Sequence, residues 1–275
     1  LFFIFGYNHN KYKFKKIMLR ILITGCKGGI GFEAATKLLN KGHFVYVTVH
    51  EEESVSEVKE KLKSFPNNYL VEKLDITEKT DREKILQWDL DVLVNNAGIG
   101  ESGPLIEINI DRVRKVMETN VFAALELTQI AVRKMIENKK GRVVIIGSMY
   151  GLVPTPFLAP YGMSKFALEN VAYSLRGELK PFKIPVVMVN PGAYDTGFNL
   201  KNVNKKYEWQ DKNGLYKNDM ELIKKSEDQI FRLEVKNTNG ISDKVVKAVT
   251  AKNPKKRYYA PLFQWVLKSI GKHIS

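Results

Sequence analysis

Leu19-Arg20-Ile21-Leu22-Ile23-Thr24-Gly25-Cys26-Lys27-Gly28-Gly29-Ile30-Gly31 is the stretch that decides the fold. A short apolar run ends in a glycine-rich turn, and an amphipathic segment near 30–41 follows it. Strand before and helix after turn a weak glycine motif into a specific one: glycines let backbone N–H groups approach a pyrophosphate, and the helix N-terminus supplies positive potential. Gly25, Lys27, Gly29, Ile30 and Gly31 are therefore candidate cofactor contacts. Cys26, inside this turn, reads as a small buried filler.

Outward from this unit the same rhythm repeats. Apolar runs at 20–24, 44–49, 69–74, 92–95, 142–147 and 185–190 alternate with amphipathic stretches near 51–64, 78–87, 108–138 and 160–180. That is the pattern of βαβ units covering both faces of a parallel sheet, so the expected fold is an α/β, doubly wound, Rossmann-type single domain. Residues 194–217 lack a period and read as a long loop within a substrate segment spanning 194–240. Helices are expected at 219–235 and 242–250, the latter with Ser242 as N-cap, and 257–260 as a last strand. Residues 261–275 place Leu262, Phe263, Val266, Leu267 and Ile270 on one helical face, an amphipathic C-terminal extension.

The chain has 275 residues, 44% of them hydrophobic and 27% charged, enough for one large domain with a sizeable core and far from a disordered composition. Its net charge of +14 resides at the ends: residues 1–20 carry +5, residues 244–275 carry +8, and the middle only +1. Basic tails without a reading motif do not make a nucleic-acid reader. Contact of the basic C-terminal helix with an anionic membrane surface is a second reading, less favoured than packing over the active site or in an oligomer. The apolar opening run Leu1 to Tyr7 falls well short of the ~20 residues needed to span a bilayer, and its charges follow it. Residues 1–17 are expected to be an extension outside the fold, disordered or non-native, with the catalytic domain at 18–260. The lone Cys26 allows no intrachain disulfide, and no Cys/His spacing suits a metal. A reducing compartment, the cytoplasm, is expected.

The second constellation is Tyr161-Gly162-Met163-Ser164-Lys165. Positions i and i+4 share a helix face, so phenol and ammonium reach one site, and a nearby cation favours the ionised phenol. By itself this spacing is common on helix surfaces. Together with the glycine loop, Asp75-Ile76, Asn95-Asn96-Ala97-Gly98, Asn120, Gly147-Ser148-Met149-Tyr150-Gly151 and Pro191-Gly192, it closely resembles the short-chain dehydrogenase/reductase family, in that family's order and spacing from about Leu19 to Ala260. Its hydroxysteroid and retinol dehydrogenase-like branch is the most similar.

The resemblance implies hydride transfer between a nicotinamide and a carbonyl or secondary alcohol. Tyr161 would be the general acid/base, Lys165 together with the positive nicotinamide of the oxidised cofactor would lower its pKa, Lys165 would also hold the nicotinamide ribose, and Ser148 would stabilise the oxyanion. Asn120 would position a water leading from Lys165 to solvent. Asp75 and Ile76 would meet the adenine, while Asn96, Ala97, Gly98, Pro191, Gly192 and Thr196 would shape the cofactor site. At the second strand's end, Val49-His50 stands where NAD-selective relatives keep an acid, so Lys27 and His50 favour NADP(H) over NAD(H); Glu51 argues the other way if it turns inward. Met149, Phe157, Leu158 and Tyr194 would line a pocket for a lipophilic ketone, aldehyde or alcohol. A homodimer or homotetramer built on the long helices is expected. A nucleotide-sensing binding protein on the same fold is the alternative, although such relatives often lack the tyrosine or lysine and this chain has both.

Overall fold

β1 (Arg20–Ile23) is only four residues long, and Ile21, Leu22 and Ile23 are fully buried. A strand covered by helices on both sides reads this way, without polar alternation. The computed structural model describes residues 18–65, 68–211 and 213–264. Beside β1 lie β2 (Phe44–Val49), β3 (Tyr69–Lys73), β4 (Val92–Asn95), β5 (Val143–Ile146), β6 (Val186–Pro191) and β7 (Arg257–Ala260). They form one parallel sheet in the order β3-β2-β1-β4-β5-β6-β7.

The helices are α1 (Gly29–Asn40), α2 (Glu53–Lys61), α3 (Lys79–Glu83), α4 (Ile110–Met117), α5 (Ala124–Glu137), α6 (Ala159–Glu178), α7 (Phe198–Asn204), α8 (Met220–Arg232) and α9 (Asn239–Thr250). The two faces of the sheet build two cores. Ile21, Ile23, Val45, Val47, Val94 and Val187 pack under α1, α2 and α9, while Leu22, Leu93, Val143, Ile145 and Met188 pack under α5 and α6. Successive strand residues thus alternate between cores, and each buried aliphatic side chain contributes about 1.5–3 kcal/mol. β1 is bordered by β2 on one side and β4 on the other, so the chain reverses its winding there. The crevice at the carboxyl ends of β1 and β4 is the ligand position of doubly wound sheets.

Three details depart from the expectations. Glu118–Ala123, in the middle of the expected 108–138 helix, is a π-helical turn between α4 and α5. The supposed loop 194–217 contains α7 and a 3-10 turn at Lys205–Glu208. Ser242 is not an N-cap: α9 starts at Asn239, and the fully buried Ser242 hydroxyl donates back to Thr238 O at 3.0 Å. The expected extension 1–17 and the C-terminal helix beyond Gln264 lie outside the described residues.

Candidate active site

Between β1 and α1 the chain turns through Gly25 and Gly29, both at positive φ (70° and 61°), which only glycine adopts without strain. A Cβ on Gly25 would also stand 2.8 Å from Ala97 Cα, and one on Gly31 would strike the Asn96 amide. Thr24 locks the loops after β1 and β4 together: its Oγ1 accepts from Asn96 N and Ala97 N, each at 3.0 Å. The Asn96 side chain donates to Thr24 O at 2.8 Å and Gly25 O at 3.0 Å. Around Gly28, ahead of α1, a Cβ would meet nothing within 4 Å. Bare backbone, free space and a helix N-terminus together fit a dinucleotide pyrophosphate. Thr196 closes the cradle from the far side, its Cβ 3.3 Å from where a Gly29 Cβ would lie. Cys26 is fully buried and its thiol is pushed up to about 12 by burial, which makes it inert packing.

At the opposite end of the crevice, α6 presents Tyr161 and Lys165 one turn apart, 8% and 5% exposed. Lys165 Nζ lies 5.5 Å from the centre of the Tyr161 ring and donates to Ile146 O at 3.0 Å. Burial pushes the Lys165 ammonium down to about 8. It raises the Tyr161 phenol well above its ordinary value, against the opposing hydrogen bond from Ser148. In the protein without cofactor, desolvation thus biases both groups to their neutral forms; the expected lowering of the tyrosine involves Lys165 together with the positive nicotinamide of the oxidised cofactor. Ser148 follows β5, and its Oγ accepts from Tyr150 N at 3.1 Å.

Asn120 sits in the π-helical turn with its side chain fully engaged. Its Oδ1 accepts from Ile99 N at 2.8 Å, and its Nδ2 donates to Ile99 O at 2.8 Å and Ser164 Oγ at 2.9 Å. It joins the loop after β4 to α6, beside Gly98, where a Cβ would stand 3.1 Å from Asn120 Oδ1 and 3.8 Å from Lys165 Nζ. Behind Ser148 runs a relay that sequence reasoning missed. Asn190 Nδ2 donates to Ser148 O at 3.1 Å and to Glu169 Oε1 at 2.5 Å, and Glu169 is paired with Arg257 of β7. These contacts join residues far apart in the chain, so no local spacing announces them.

On the rim, Lys27, His50 and Glu51 form one cluster. Glu51 stays exposed: it accepts from Lys27 Nζ at 3.1 Å and lies 3.2 Å from His50 Nε2. The Lys27 hydrogen bond, then His50, hold its carboxyl below the usual value. Asp75 Oδ1 accepts from Thr77 N at 2.9 Å and Thr77 Oγ1 at 2.8 Å, which is a turn cap, while Ile76 is buried in the α5/α6 core.

The crevice against Tyr161 is lined by Tyr150, Leu158, Asn199, Asn202, Val203 and Ile230. It holds about 10 Å³ of free space, on the order of one water. Of the expected substrate contacts Leu158 is among the lining. Tyr194 is not: its ring packs into the α1/α9 core, because the chain after Gly192 turns inward to bridge Val235. Phe157 packs edge-on against Tyr216 at 5.7 Å, and Met149 is 1% exposed outside the crevice lining. Tyr150, Asn199, Asn202, Val203 and Ile230 were unreadable because α7 and α8 deliver four of the five. Gln264 was also missed; its Oε1 accepts from Ala193 N at 2.7 Å, directly over the bare Gly192.

Residues 19–207 match the family model described as short chain dehydrogenase. The chain is 30% identical over 251 residues to the NADPH-dependent 3-dehydrocapnine reductase of Ornithobacterium rhinotracheale, covering 86% of each. It is also 30% identical to human 17-beta-hydroxysteroid dehydrogenase type 1, covering 87% of this chain and 76% of the relative. A short-chain dehydrogenase from Sphingobium yanoikuyae, solved with NADPH, superposes with a TM-score of 0.72 at 20% identity, over 93% and 94% of the two chains. No helix among the described residues is long and apolar enough to cross a membrane. The chain belongs to the short-chain dehydrogenase/reductase family and is an NAD(P)-dependent oxidoreductase acting between CH–OH and C=O groups.

Proposed function

We propose that residues 18–260 form an NADP(H)-preferring reductase or dehydrogenase of lipophilic carbonyls and alcohols, with Tyr161 exchanging the proton at the substrate oxygen. The observation that carries this is the burial of Tyr161 and Lys165 one turn apart on α6, beside Ser148 and at the carboxyl edge of the sheet. When bound, the nicotinamide supplies or takes up the hydride. Gly25, Gly29, Ile30 and Gly31 would hold the pyrophosphate, Asn96, Ala97, Gly98, Pro191, Gly192 and Thr196 would enclose the nicotinamide half, and Asp75 and Ile76 would meet the adenine. In the reductive direction Tyr161 gives its proton to the carbonyl oxygen as that oxygen gains charge. Ser148 donates a hydrogen bond to the same oxygen, aimed before the reaction begins. Lys165 holds the nicotinamide ribose, and Asn120 acts by positioning, fixing the loop after β4 against α6.

Replacing Tyr161 by Phe removes the proton and little volume. It is expected to lower kcat by about 10²–10⁴-fold on any accepted carbonyl while NADPH still binds. Fluorescence titration alongside turnover checks both halves, and unchanged turnover would overturn the assignment.

Preference for NADP(H) is supported by Lys27 in the loop after β1 and His50 at the end of β2, and by the NADPH dependence of the Ornithobacterium relative. Glu51 is paired with Lys27 and lies against His50, and its carboxylate would oppose a 2′-phosphate. Glu51→Gln is therefore expected to tighten NADPH about two- to fivefold and leave NADH nearly unchanged, the scale of an exposed ion pair. Parallel titrations at one salt concentration check it. The apolar lining by Leu158, Val203 and Ile230 supports a lipophilic substrate, and the single buried thiol suits a reducing, cytoplasmic setting. A homodimer or homotetramer is the assembly the exposed faces of α5 and α6 favour.

A further inference from the structure

The edge of the sheet where the strands begin lies opposite the crevice, and three of its loops are rich in lysine. Residues 139–142 lead into β5, 180–185 into β6 and 252–256 into β7, and these three strands are neighbours. Arg142 ties the first loop to the third, donating to Ala248 O at 2.8 Å and to Ala251 O at 2.7 Å. Arg176 ties the second to the third, donating to Val186 O at 2.9 Å and to Lys256 O at 3.0 Å. Lys139, Lys180, Lys183, Lys252, Lys255 and Lys256 therefore share one rim. All six are exposed, and no carboxylate is paired with any of them among the described residues. Lys140 beside them holds Asp91 at 2.5 Å, and Glu137 and Glu178 are the acids at this end of α5 and α6.

Two of these lysines stand on backbone that does not favour them. Lys139 and Lys183 are left-handed, at φ 52° and 58°, a conformation that glycine or asparagine adopts more readily. Two ammonium groups are thus kept on tight turns at a conformational cost. Between Lys180 and Lys183 the Phe182 side chain is 46% exposed. The chain also enters the fold at this edge: Arg20 N donates to Asp91 Oδ2 at 2.8 Å, on the carboxylate that holds Lys140. Ahead of that point the sequence has Leu1-Phe2-Phe3-Ile4-Phe5-Gly6-Tyr7, then Lys11, Lys13, Lys15 and Lys16, with no acid.

An unopposed cationic rim attracts a polyanion. An aromatic side chain among the cations, and an aromatic run leading into the same edge, suit a polyanion with an apolar interior. A second copy of the chain fits poorly, because a symmetric contact would set lysine against lysine. We propose that this edge is a docking surface for an anionic phospholipid membrane, the lysines meeting the headgroups and Phe182 entering the headgroup layer. The crevice, at the opposite edge of the sheet, stays open.

The test is co-sedimentation of the full chain with phosphatidylcholine vesicles, with and without about 30% phosphatidylserine, at about 0.1 M salt. Partitioning onto the anionic vesicles is expected to be at least about tenfold stronger, and to fall steeply by about 0.5 M salt. Lys180→Gln, Lys183→Gln, Lys255→Gln and Lys256→Gln together are expected to weaken it about tenfold or more, with NADPH affinity and the thermal midpoint unchanged. Removing as many charges elsewhere, by Lys79→Gln, Lys115→Gln, Lys224→Gln and Lys225→Gln, is expected to change it less than about threefold. Equal binding to both vesicles, equal losses in the two variants, or binding untouched by the rim substitutions would overturn the surface. Binding to a DNA duplex under the same conditions, with neither vesicle bound, would replace the membrane by nucleic acid. None of these readouts depends on turnover, so the surface and the reductase reading stand or fall separately.

Discussion

Burial acts in opposite directions on the two ionisable side chains that α6 brings to the crevice. It disfavours the charged form of each, so Tyr161 is held as the neutral phenol and the Lys165 ammonium falls to about 8. A neutral phenol is a loaded proton donor for carbonyl reduction, whereas alcohol oxidation needs it ionised. The rate of oxidation is therefore expected to rise steadily with pH above neutrality while reduction does not, and kcat profiles in both directions check this. The same shift enters stability. Unfolded Lys165 titrates near 10.5 and the folded group near 8, so between about 8 and 10 the unfolded chain binds more protons and the fold gains stability as pH rises. The gain across the full shift is on the order of 3 kcal/mol, and Lys165→Met should flatten it in a series of thermal melts. The Tyr161–Lys165 pair was legible in the sequence because i,i+4 spacing survives any packing of the helix. The Asn190–Glu169–Arg257 relay was not, since β6, α6 and β7 meet only in the folded sheet. Glu169→Leu removes one of the two acceptors of Asn190 Nδ2 and the carboxylate partner of Arg257, and is expected to lower kcat about tenfold or more with KM little changed. Glu169→Gln, which keeps an acceptor for Asn190, should recover most of kcat; a Gln variant as slow as the Leu variant would show that the Arg257 charge, not the Asn190 contact, matters.

Among the elements, strands and long helices were readable because their period is set by burial on one or two faces. β1 through β6 fall within a residue or so of the apolar runs, and β7 follows the same rule. What failed was local chemistry that tertiary contacts override. Ser242 looks like a cap before an apolar run, yet Thr238 lies one turn earlier and the helix begins there. The π-helical turn at Glu118–Ala123 leaves no mark on hydrophobic spacing; it inserts a residue's worth of register and turns Asn120 toward Ile99 and Ser164. α7 is seven residues long and polar, too short for a period to emerge, so the elements that line the crevice were the least legible. The glycine turn makes the sharpest prediction at this scale. Gly29→Ala puts a Cβ at φ 61° and 3.3 Å from Thr196 Cβ, and should cost about 1–2 kcal/mol of stability from the left-handed backbone alone. Thermal melts and NADPH titration should move together, because the strained residue is also a wall of the cradle.

On the scale of the whole molecule, one monomer leaves an unusual amount of apolar surface on the α5/α6 side. Phe122 is 51% exposed, Met163 47%, Phe166 40% and Tyr173 76%, and α6 packs directly beside the π-helical turn that carries Phe122. Single exposed apolar residues are normal in any protein, but several aromatic ones on adjacent helices mark a contact surface. Charge does not oppose association here, because the excess of +14 lies at the two ends of the chain and the middle is nearly neutral. A symmetric contact repeats each aromatic residue on both subunits, so two substitutions per chain place four charges in one interface. The wild type is expected to be a dimer or tetramer in light scattering. Phe166→Glu with Tyr173→Glu is expected to yield monomers, since burying unpaired carboxylates costs far more than the aromatic contacts supply. Both residues point away from the two cores, so nucleotide binding should survive in the monomer even if turnover falls. A monomeric wild type would mean that these aromatic faces serve another partner, and an oligomer untouched by the double substitution would move the interface elsewhere on the surface.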